Sequence, residues 1–400
     1  MSSRSSHLTL STVRLGSVAR IVGGSTPDSG NALYWGSDIV WVTPADLGQL
    51  KTTHVQDSRR HLTRLGFQNA SIEMLPVNSV ILSSRAPIGY LAINDVPVCT
   101  NQGCKSFVPG ASLDARYLFH FLKRAVPSLR ELGSGATFAE VSKSKLEGYA
   151  IPLPPLAEQQ RIVAKLDEQM AALDHAEKAL AEQQAAASAV ATAVLQQAFS
   201  GPECKRWPSV RLVRAGTFDA GGTPAKDQQR YWSDTGYPFV TGADITSATV
   251  GARNARAFLT QEGLVSGKTA VCPAGTVLVV TRTRVGRVGI AGETVAVSQD
   301  ITAFTCQRNL LPTYVMWFLR KESDHLIAQS RGATIQGLRR SILEDLDIPV
   351  PSIPEQRQIA ESIEQATHNV AMLQQSITYQ LGTLTSLRTS FLDAAFSGEI

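Results

Sequence analysis

Two arginine-bearing turns are the parts of this sequence best suited to bind a charged ligand. They are Ser-Ser-Arg-Ala-Pro-Ile-Gly at 83–89 and Thr-Arg-Thr-Arg-Val-Gly-Arg at 281–287. An arginine on a turn between strands can reach phosphates or pair with the two acceptors of a guanine edge, and neighbouring hydroxyl groups suit contacts to a phosphate backbone. A solvated turn is the alternative for either copy alone. Recurrence of the turn in basic surroundings favours contact with DNA or RNA.

Two further pairs of segments have residue types that suit phosphate binding. The loops Gly-Ser-Thr-Pro at 24–27 and Gly-Thr-Pro at 222–224 combine glycine with a hydroxyl residue, although a plain turn explains them equally well. The segments 134–145 and 331–340 place basic residues closely behind a Gly-Ala-Thr loop, and we favour phosphate anchoring there. The predicted nucleic-acid contacts are Thr26, Arg85, Lys105, Thr137, Lys143, Lys145, Thr223, Arg282, Arg284, Arg287, Thr334, Arg339 and Arg340.

Catalytic motifs are otherwise missing from the sequence. The segment Gly-Leu-Val-Ser-Gly-Lys-Thr at 263–269 has three residues between its glycines, whereas a phosphate-binding loop needs four. The histidines neither cluster nor recur between the halves of the chain, and the five cysteines show no metal-ligand spacing. We interpret the cysteines as buried or idle thiols, and Trp35, Trp41 and Trp232 as core residues rather than stacking platforms. We therefore expect no enzyme, no metal site and no cofactor in this chain.

The chain consists of two copies of one unit. Tyr34-Trp35 recurs as Tyr231-Trp232, a shift of 197 residues that also relates many other short motifs of the two halves. Duplicated units commonly fold about an approximate two-fold axis, because each copy can then make the same contact with its twin. The segments 47–75 and 245–272 have diverged strongly. We therefore predict two similar frames that present two different surfaces.

Two stretches have the pattern of long helices, 157–198 and 354–395. Each begins near proline and glutamate, which suit a helix start, and each ends close to Phe-Ser-Gly. An apolar residue recurs at every seventh position, which predicts a coiled-coil seam, with Met170, Val190, Leu373 and Leu387 on flanking rows. The alternative is two unrelated helices that pack on their own domains. The seam residues are Leu166, Leu173, Leu180, Ala187, Val194, Ile363, Val370, Ile377, Leu384 and Phe391.

Charge is unevenly divided along the 400 residues. The net charge is +4, but the first helical stretch has six acids against three bases and the second has four against two. Removing these charges of −3 and −2 leaves +9 on the rest of the chain. The globular parts are thus basic, which suits a nucleic-acid partner. No apolar run is long enough to span a membrane, so we expect no membrane partner and a cytoplasmic protein.

These patterns together predict an α+β fold with tandem mixed units. The predicted domains are a first globular unit at 1–150, a helical spacer at 151–202, a second globular unit at 203–347 and a helical spacer at 348–400. Each globular unit is expected to contain a curved, mostly antiparallel sheet with a helix near 117–123 or 314–321. A two-fold axis would pair the two long helices antiparallel and give the whole chain pseudo-two-fold symmetry.

Several motifs resemble one protein family. They are Pro-Leu-Pro-Pro-Leu-Ala-Glu-Gln-Gln-Arg-Ile at 152–162 with its echo at 349–359, the Gly-Gly-Thr-Pro loop at 221–224, and the Ala-Phe-Ser-Gly helix ends at 198–201 and 395–398. Together with the duplicated plan, they resemble the specificity subunit of type I restriction-modification systems. The second copy departs from the first in having Pro-Ser-Ile-Pro where the first has Pro-Pro-Leu-Ala, so side-chain contacts do not transfer residue by residue.

The resemblance implies a role in reading DNA without catalysing a reaction. It implies two target-recognition domains, each reading one half of a bipartite asymmetric site in double-stranded DNA, with the helices setting the spacer. It also implies two modification subunits that bind S-adenosylmethionine and methylate adenine, and restriction subunits that use ATP and magnesium. The competing interpretation is a coiled-coil protein–protein adaptor without DNA sequence recognition. A stand-alone enzyme would need a catalytic cluster that the sequence lacks.

Overall fold

The computed structural model describes residues 11–85, 87–133, 139–330 and 337–398. Two of the predicted contact residues, Thr137 and Thr334, lie outside these ranges. The chain divides into two compact units. The first unit contains the residues up to Leu180 and those from Tyr379 onwards, and the second contains Ala181–Thr378. Each unit therefore combines the globular part of one copy with segments of both long helices.

The first copy alternates short strands with short helices until a long helix begins. Its elements are β1 (Thr12–Arg14), α1 (Leu15–Val18), β2 (Ala19–Gly23), β3 (Trp35–Gly36), β4 (Ile39–Val42), α2 (Pro44–Leu47), β5 (His54–Val55), β6 (His61–Leu62), α3 (Arg64–Asn69), β7 (Val80–Ser83), β8 (Leu91–Asn94), β9 (Cys99–Thr100), β10 (Cys104–Pro109), α4 (Ala115–Leu132), α5 (Lys143–Glu147), β11 (Ala150–Pro152) and α6 (Leu156–Ser200).

The second copy follows nearly the same order. Its elements are β12 (Ser209–Arg211), α7 (Leu212–Ala215), β13 (Gly216–Ala220), β14 (Trp232–Ser233), β15 (Tyr237–Val240), β16 (Thr249–Val250), β17 (Ala257–Leu259), α8 (Gln261–Gly267), β18 (Val271–Cys272), β19 (Val277–Val280), β20 (Val288–Ala291), β21 (Val295–Val297), β22 (Ile301–Cys306), α9 (Pro312–Lys321), α10 (Ser323–Gln329), α11 (Arg340–Glu344), β23 (Asp347–Pro349) and α12 (Ile353–Ser397). Short 3-10 turns lie at Ala32–Tyr34, Pro202–Arg206 and Gln229–Tyr231.

Each unit contains three small sheets in its described residues. In the first unit their strand orders are β1-β11, β2-β10-β7-β8-β5 and β3-β6-β4-β9, and in the second they are β12-β23, β13-β22-β19-β20-β16 and β14-β17-β15-β21-β18. Most pairs are antiparallel, as predicted, whereas four of the described pairs are parallel: β4 with β9, β5 with β8, β15 with β21 and β16 with β20. The expectation of a single sheet per unit is wrong, because many strands of the third sheet have only two residues and leave no alternation to recognise.

In the five-stranded sheets that contain β7 and β19, these central strands are buried on both faces. Val80 and Leu82 of β7 face the core cluster that contains α4, whereas Ile81 between them faces a second cluster. Successive side chains of a strand point to opposite faces, so an uninterrupted apolar run lies between two layers. The run at 277–280 in β19 divides in the same way between two clusters. The α+β class predicted from the sequence is confirmed.

A buried glutamine fixes the start of each long helix to its unit. In the first unit the Gln159 amide oxygen accepts a bond from Asp114 N at 2.9 Å, and its nitrogen donates to Ser112 O and Pro154 O at 2.9 and 2.8 Å. Gln356 makes the same three bonds, to Leu311 N, Asn309 O and Pro351 O, in the second. Both side chains are fully buried and satisfied, so each locks its long helix to the chain before α4 or α9.

The end of each long helix packs on an aromatic cluster. Phe396 of α12 lies 5.0 Å from Tyr117 and 5.4 Å from Phe121 between ring centroids in the first unit. Phe199 of α6 packs on Tyr314 and Phe318 at 5.1 and 5.6 Å in the second. The recurring Ala-Phe-Ser-Gly motif therefore supplies a buried docking side chain as well as a helix end.

Candidate nucleic-acid interface

The predicted Gly-Ser-Thr-Pro loop lies against the loop that follows β9. Thr26 Oγ1 donates a hydrogen bond to the Gln102 side-chain oxygen, and Ser25 N donates to Thr100 O at 2.9 Å. A Cβ on Gly24 would lie only 2.0 Å from Asn101 O, so glycine is needed for the approach. In the second unit Thr223 Oγ1 accepts a bond from Gln299 N at 3.4 Å. An equivalent threonine and glutamine thus bond each other at this edge in both units, through the glutamine side chain in the first and through its backbone N–H in the second.

The first arginine turn is held from both sides. Ser84 N donates to Gly103 O and Val141 N donates to Ser84 O, at 2.8 and 3.0 Å. The Arg85 guanidinium lies 3.9 Å from Glu140, and Lys105 Nζ donates to the same carboxylate at 2.8 Å. The structure therefore brings Thr26, Arg85 and Lys105 to one edge of the unit, with Glu140 neutralising part of its charge.

The second turn makes the same backbone bridge without the carboxylate. Arg282 forms an isolated bridge with Gly337, as Arg85 does with Glu140. Within the described part of the chain Arg282 and Arg284 form no ion pair, and both are exposed. Arg287 is half-buried, and its Nη1 donates to Ile245 O at 3.4 Å. Two of the three arginines of this turn are therefore available to an external anion.

The short helices α5 and α11 and their starts contain four basic residues that the sequence predicts as phosphate anchors, and three of these bond within their own unit. Lys143 pairs with Glu147 at 3.7 Å, and Lys145 Nζ donates to Leu132 O at 2.7 Å. Arg340 pairs with Glu344 and donates from Nη2 to Phe218 O at 2.9 Å. Arg339 is exposed at the start of α11. Arg340 is therefore a packing residue in addition to any contact it makes outside the chain.

The predicted seam residues lie on the packed faces of the long helices. Leu166, Leu173, Leu180, Ala187, Ile363 and Ile377 are buried, and Val194, Val370, Leu384 and Phe391 are half-buried. The flanking-row expectation is wrong for Val190, Leu373 and Leu387, which are exposed, and holds for Met170. A coiled coil buries two rows of each helix, and Met170 lies on the second row, four positions after Leu166. Val190, Leu373 and Leu387 lie three positions after a seam residue instead, which places them outside both rows.

The two long helices contact each other within each unit. In the second unit Ser188 of α6 meets Gln374 of α12 at 3.4 Å, and residues 190–198 share an apolar groove with residues 358–363. Rising numbers on one helix meet falling numbers on the other, so the pair is antiparallel there. In the first unit Arg388 bonds Asp174 and Glu177 at 2.7 and 3.0 Å.

The remaining candidates for chemistry have structural positions. The thiols of Cys99, Cys104 and Cys272 are buried, which raises the pKa of each to about 12 and keeps the thiol protonated. Gly263 and Gly267 lie inside α8 and Lys268 is its C-cap, so this stretch is a helix end rather than a phosphate loop before a helix. No described helix is both long and apolar enough to cross a membrane.

Comparison with known sequences agrees with the duplicated architecture. The family described as the type I restriction modification DNA specificity domain matches residues 9–183 and again residues 205–379. The chain belongs to this family. It therefore contains two copies of the DNA specificity domain, and this membership favours DNA recognition over the adaptor alternative.

Individual members of the specificity family are similar over part or most of the chain. The type I restriction enzyme MjaIX specificity subunit of Methanocaldococcus jannaschii is 36% identical over 37% of this chain, and the alignment covers 35% of that protein. The EcoR124I/EcoR124II specificity subunit of Escherichia coli is 31% identical over 38% of this chain and 39% of its own length. The EcoBI specificity subunit of Escherichia coli is 23% identical over 76% of this chain and 70% of its own.

Solved structures share the fold over nearly the whole chain. A chain from the structural study of complex assembly and conformational transition of the type I R-M system covers 98% of this chain and 100% of itself, with a TM-score of 0.78 and 21% identity. The HsdS subunit from Thermoanaerobacter tengcongensis covers 98% of this chain and 97% of itself, with a TM-score of 0.63 and 21% identity. The two-copy fold is therefore that of known specificity subunits.

Sequence reasoning overlooked two recurring side-chain arrangements. The Thr43 and Asp46 side chains form a reciprocal cap at the start of α2, and Asp244 Oδ2 accepts bonds from Thr241 N and Oγ1 at 2.9 and 2.6 Å in the second unit. The spacing Thr-x-x-Asp in both copies was the available signal in the sequence. The second motif lies one residue beyond the position that the 197-residue shift predicts. The other is the pair Gln159 and Gln356, whose recurrence was visible without revealing its structural role.

Proposed function

We propose that this chain is the DNA-reading subunit of a type I restriction-modification complex, and that each unit reads one half of a split target. The observation that carries the proposal is that both copies of the DNA specificity domain have a similar edge, formed by a threonine-containing loop and an arginine turn. At that edge a threonine–glutamine pair lies beside an arginine turn, as in Thr26, Gln102 and Arg85. Hydroxyl, amide and guanidinium groups are the side chains that contact phosphates and base edges.

The charge distribution supports DNA as the ligand of this edge. The chain outside the two helical stretches carries +9, whereas the helical stretches carry −3 and −2. Lys and Arg side chains that neutralise phosphates release counterions, which provides most of the sequence-independent affinity for a duplex. Because the globular parts are basic and the helices are acidic, we assign DNA binding to the globular parts.

The two half-sites differ in base sequence in this proposal. Glu140 compensates Arg85 and Lys105 in the first unit, whereas Arg282 and Arg284 of the second have no such partner among the described residues. Two units with a similar fold but different surface side chains present different hydrogen-bond donors to the major groove. The target is accordingly asymmetric and not a palindrome.

The long helices serve as the docking surface for methyltransferase subunits and as the spacer between the half-sites. Val190, Met372 and Leu373 are large apolar side chains that remain exposed on the helices of the second unit, at 54, 54 and 42%. Such side chains are typical of surfaces that a partner covers. Two modification subunits bring S-adenosylmethionine and methylate adenine, and restriction subunits, where present, bring the ATP- and magnesium-dependent steps. The chain itself supplies recognition and no catalytic group.

A genome-wide map of adenine methylation tests this proposal. The chain is expressed with its neighbouring modification subunit in a host that lacks adenine methylation, beside the modification subunit alone. The expected result is a split, asymmetric motif that appears only when both proteins are present. Verified co-assembly without any new motif would overturn the DNA-reading role and favour the adaptor alternative.

A further inference from the structure

Arg60 in the first unit is held by an aromatic ring instead of a carboxylate. Its guanidinium carbon lies 3.3 Å from the centre of the Trp35 ring and 5.7 Å from that of Trp41. The side chain is exposed, and it forms no ion pair with any carboxylate in the part of the chain that the structure describes. Stacking on an indole fixes the plane of a guanidinium and leaves its N–H donors free along the edge.

The backbone of Arg60 is fixed as well. Arg60 O accepts hydrogen bonds from Trp41 N at 3.3 Å and from Ser58 Oγ at 2.8 Å. Trp35 and Trp41 are in turn perpendicular to each other, with ring centroids 5.0 Å apart. The N–H donors of the Arg60 guanidinium form a planar fork. The orientation of this fork is fixed before any ligand arrives, which lowers the entropy lost when the fork pairs with a ligand.

The same two indoles hold the candidate nucleic-acid loop. Trp41 Nε1 donates to Ser25 O at 3.1 Å, and Trp35 Nε1 donates to Asp28 O at 3.3 Å. Thr26, which bonds Gln102, lies between these two carbonyl groups in the chain. Arg60 thus lies beside the predicted DNA-contacting edge, and it belongs to the strongly diverged segment 47–75.

The second unit keeps one of these two hydrogen bonds to the loop and lacks the arginine. Trp232 Nε1 donates to Ala225 O at 3.1 Å, as Trp35 does to Asp28. The strand registers place Phe239 where the first unit has Trp41, and Ala257 where it has Arg60. A side chain needed only to cover Trp35 would be equally useful over Trp232. The difference between units instead fits two half-sites of different sequence.

We propose that Arg60 reads a guanine in the half-site bound by the first unit, with its fork donating to O6 and N7 of that base. This assignment rests on the proposed function. A planar fork with free parallel donors matches this pair of acceptors, and no other base presents two acceptors in that arrangement in the major groove. Trp35 acts as a positioning residue that holds the fork.

The test is a methylation map of the assembled complex with Arg60→Ala, Arg60→Lys and a control, Arg14→Ala. Arg14 is an exposed arginine of β1, so the control removes the same charge from another place. Both Arg60 variants are expected to lose discrimination at a single guanine position of one half-site, by about tenfold to a hundredfold. Lysine keeps the charge and lacks the fork, so it separates base reading from phosphate attraction.

Three results would overturn the assignment, and they are distinguishable. Unchanged base preferences in both Arg60 variants would remove the base-reading role. A uniform loss of methylation at all sites, without a changed preference at any position, would make Arg60 a structural or phosphate-binding residue. A wild-type complex that methylates no split motif would refute the proposed function and this inference with it. Should Arg60→Ala fail to assemble, Arg60→Lys decides between the first two results.

Discussion

The Arg85 guanidinium lies 3.9 Å from the Glu140 carboxylate, across a bridge that joins the two backbones. At the equivalent position of the second unit, Gly337 faces Arg282 across the same kind of bridge. The same backbone bridge therefore positions an arginine in both units. In the first unit a carboxylate neutralises part of the arginine's charge, and in the second no carboxylate of the described residues does so. An exposed ion pair contributes little to stability, so the carboxylate mainly changes what the arginine offers to a ligand.

Introducing the carboxylate into the second unit should weaken DNA binding. A Cβ on Gly337 would approach Arg282 Cγ at 3.6 Å, which is ordinary contact, so Gly337→Glu fits the backbone. The new charge pairs with Arg282 and neutralises one positive charge at the duplex, which should lower the steepness of log affinity against log salt by about one. Duplex binding by the assembled complex at several salt concentrations measures this change.

Gly337→Ala is the matched control for that experiment, because it adds the Cβ without the charge. The reciprocal variant Glu140→Ala should steepen the salt dependence, since it releases Arg85 and Lys105. Equal salt dependence in Gly337→Glu and Gly337→Ala would show that Arg282 does not contact the duplex.

Removing a buried glutamine amide should destabilise one unit. Gln159→Leu leaves Asp114 N, Ser112 O and Pro154 O without their partner. Each buried group left unsatisfied costs about 1–3 kcal/mol, so the free energy of unfolding of the first unit should fall by about 3 kcal/mol or more. Denaturant unfolding of the isolated chain measures it, with the exposed neighbour Gln160→Leu as control. Equal stability of the two variants would contradict the locking role of Gln159.

Truncating the docking phenylalanines should affect the units separately. Phe396→Ala removes the ring that packs on Tyr117 and Phe121, and Phe199→Ala removes the ring that packs on Tyr314. Each change should cost about 3–5 kcal/mol in the unit concerned. Hydrogen exchange of the whole chain can follow α4 and α9 independently. Loss of protection in α9 alone after Phe396→Ala would contradict the observed packing.

The fully exposed side of α12 offers the control for the phenylalanine variants. Tyr379 is 77% exposed, so Tyr379→Ala deletes an aromatic ring of similar size without creating a cavity. We expect a change in unfolding free energy of about 0.5 kcal/mol or less. A loss as large as that of Phe396→Ala would point to a general effect of shortening side chains on α12.

Lengthening both long helices should lengthen the spacer between the half-sites. One heptad inserted after Leu180 and another after the equivalent Ile377 preserve the seam, and seven residues extend a helix by about 10 Å. The methylation map should then show the same two half-sites with a spacer increased by up to about three base pairs. An unaltered spacer with verified assembly would refute the proposal that the helices set the distance between the half-sites.

The sequence predicted features that depend on long patterns or on recurrence. The seven-residue repeat located the seam around Leu166 and Ile363, and the repeat shift identified Thr26 and Thr223 as equivalent loop residues. The third sheet was missed because strands such as β3 and β6 have two residues each. Compensation of Arg85 by Glu140 was also missed, since the two residues are 55 positions apart and only the fold joins them.

Side-chain roles were harder to predict than positions. Arg340 was predicted to bind phosphate, but its guanidinium also bonds Phe218 O, which is 122 residues away in sequence. Trp35 was interpreted as a core residue, and it is only half-buried with Arg60 stacked on its ring. Such assignments depend on contacts between distant segments, which composition and spacing do not encode.

A pair of methylation maps decides whether each unit reads its own half-site. One map uses Arg85→Ala with Lys105→Ala, and the other uses Arg282→Ala with Arg284→Ala, each in the full chain assembled with the modification subunit. We expect the first variant to relax one half of the wild-type motif and the second to relax the other half. If both variants relaxed the same half, or if neither changed the motif, the assignment of one half-site to each unit would be contradicted.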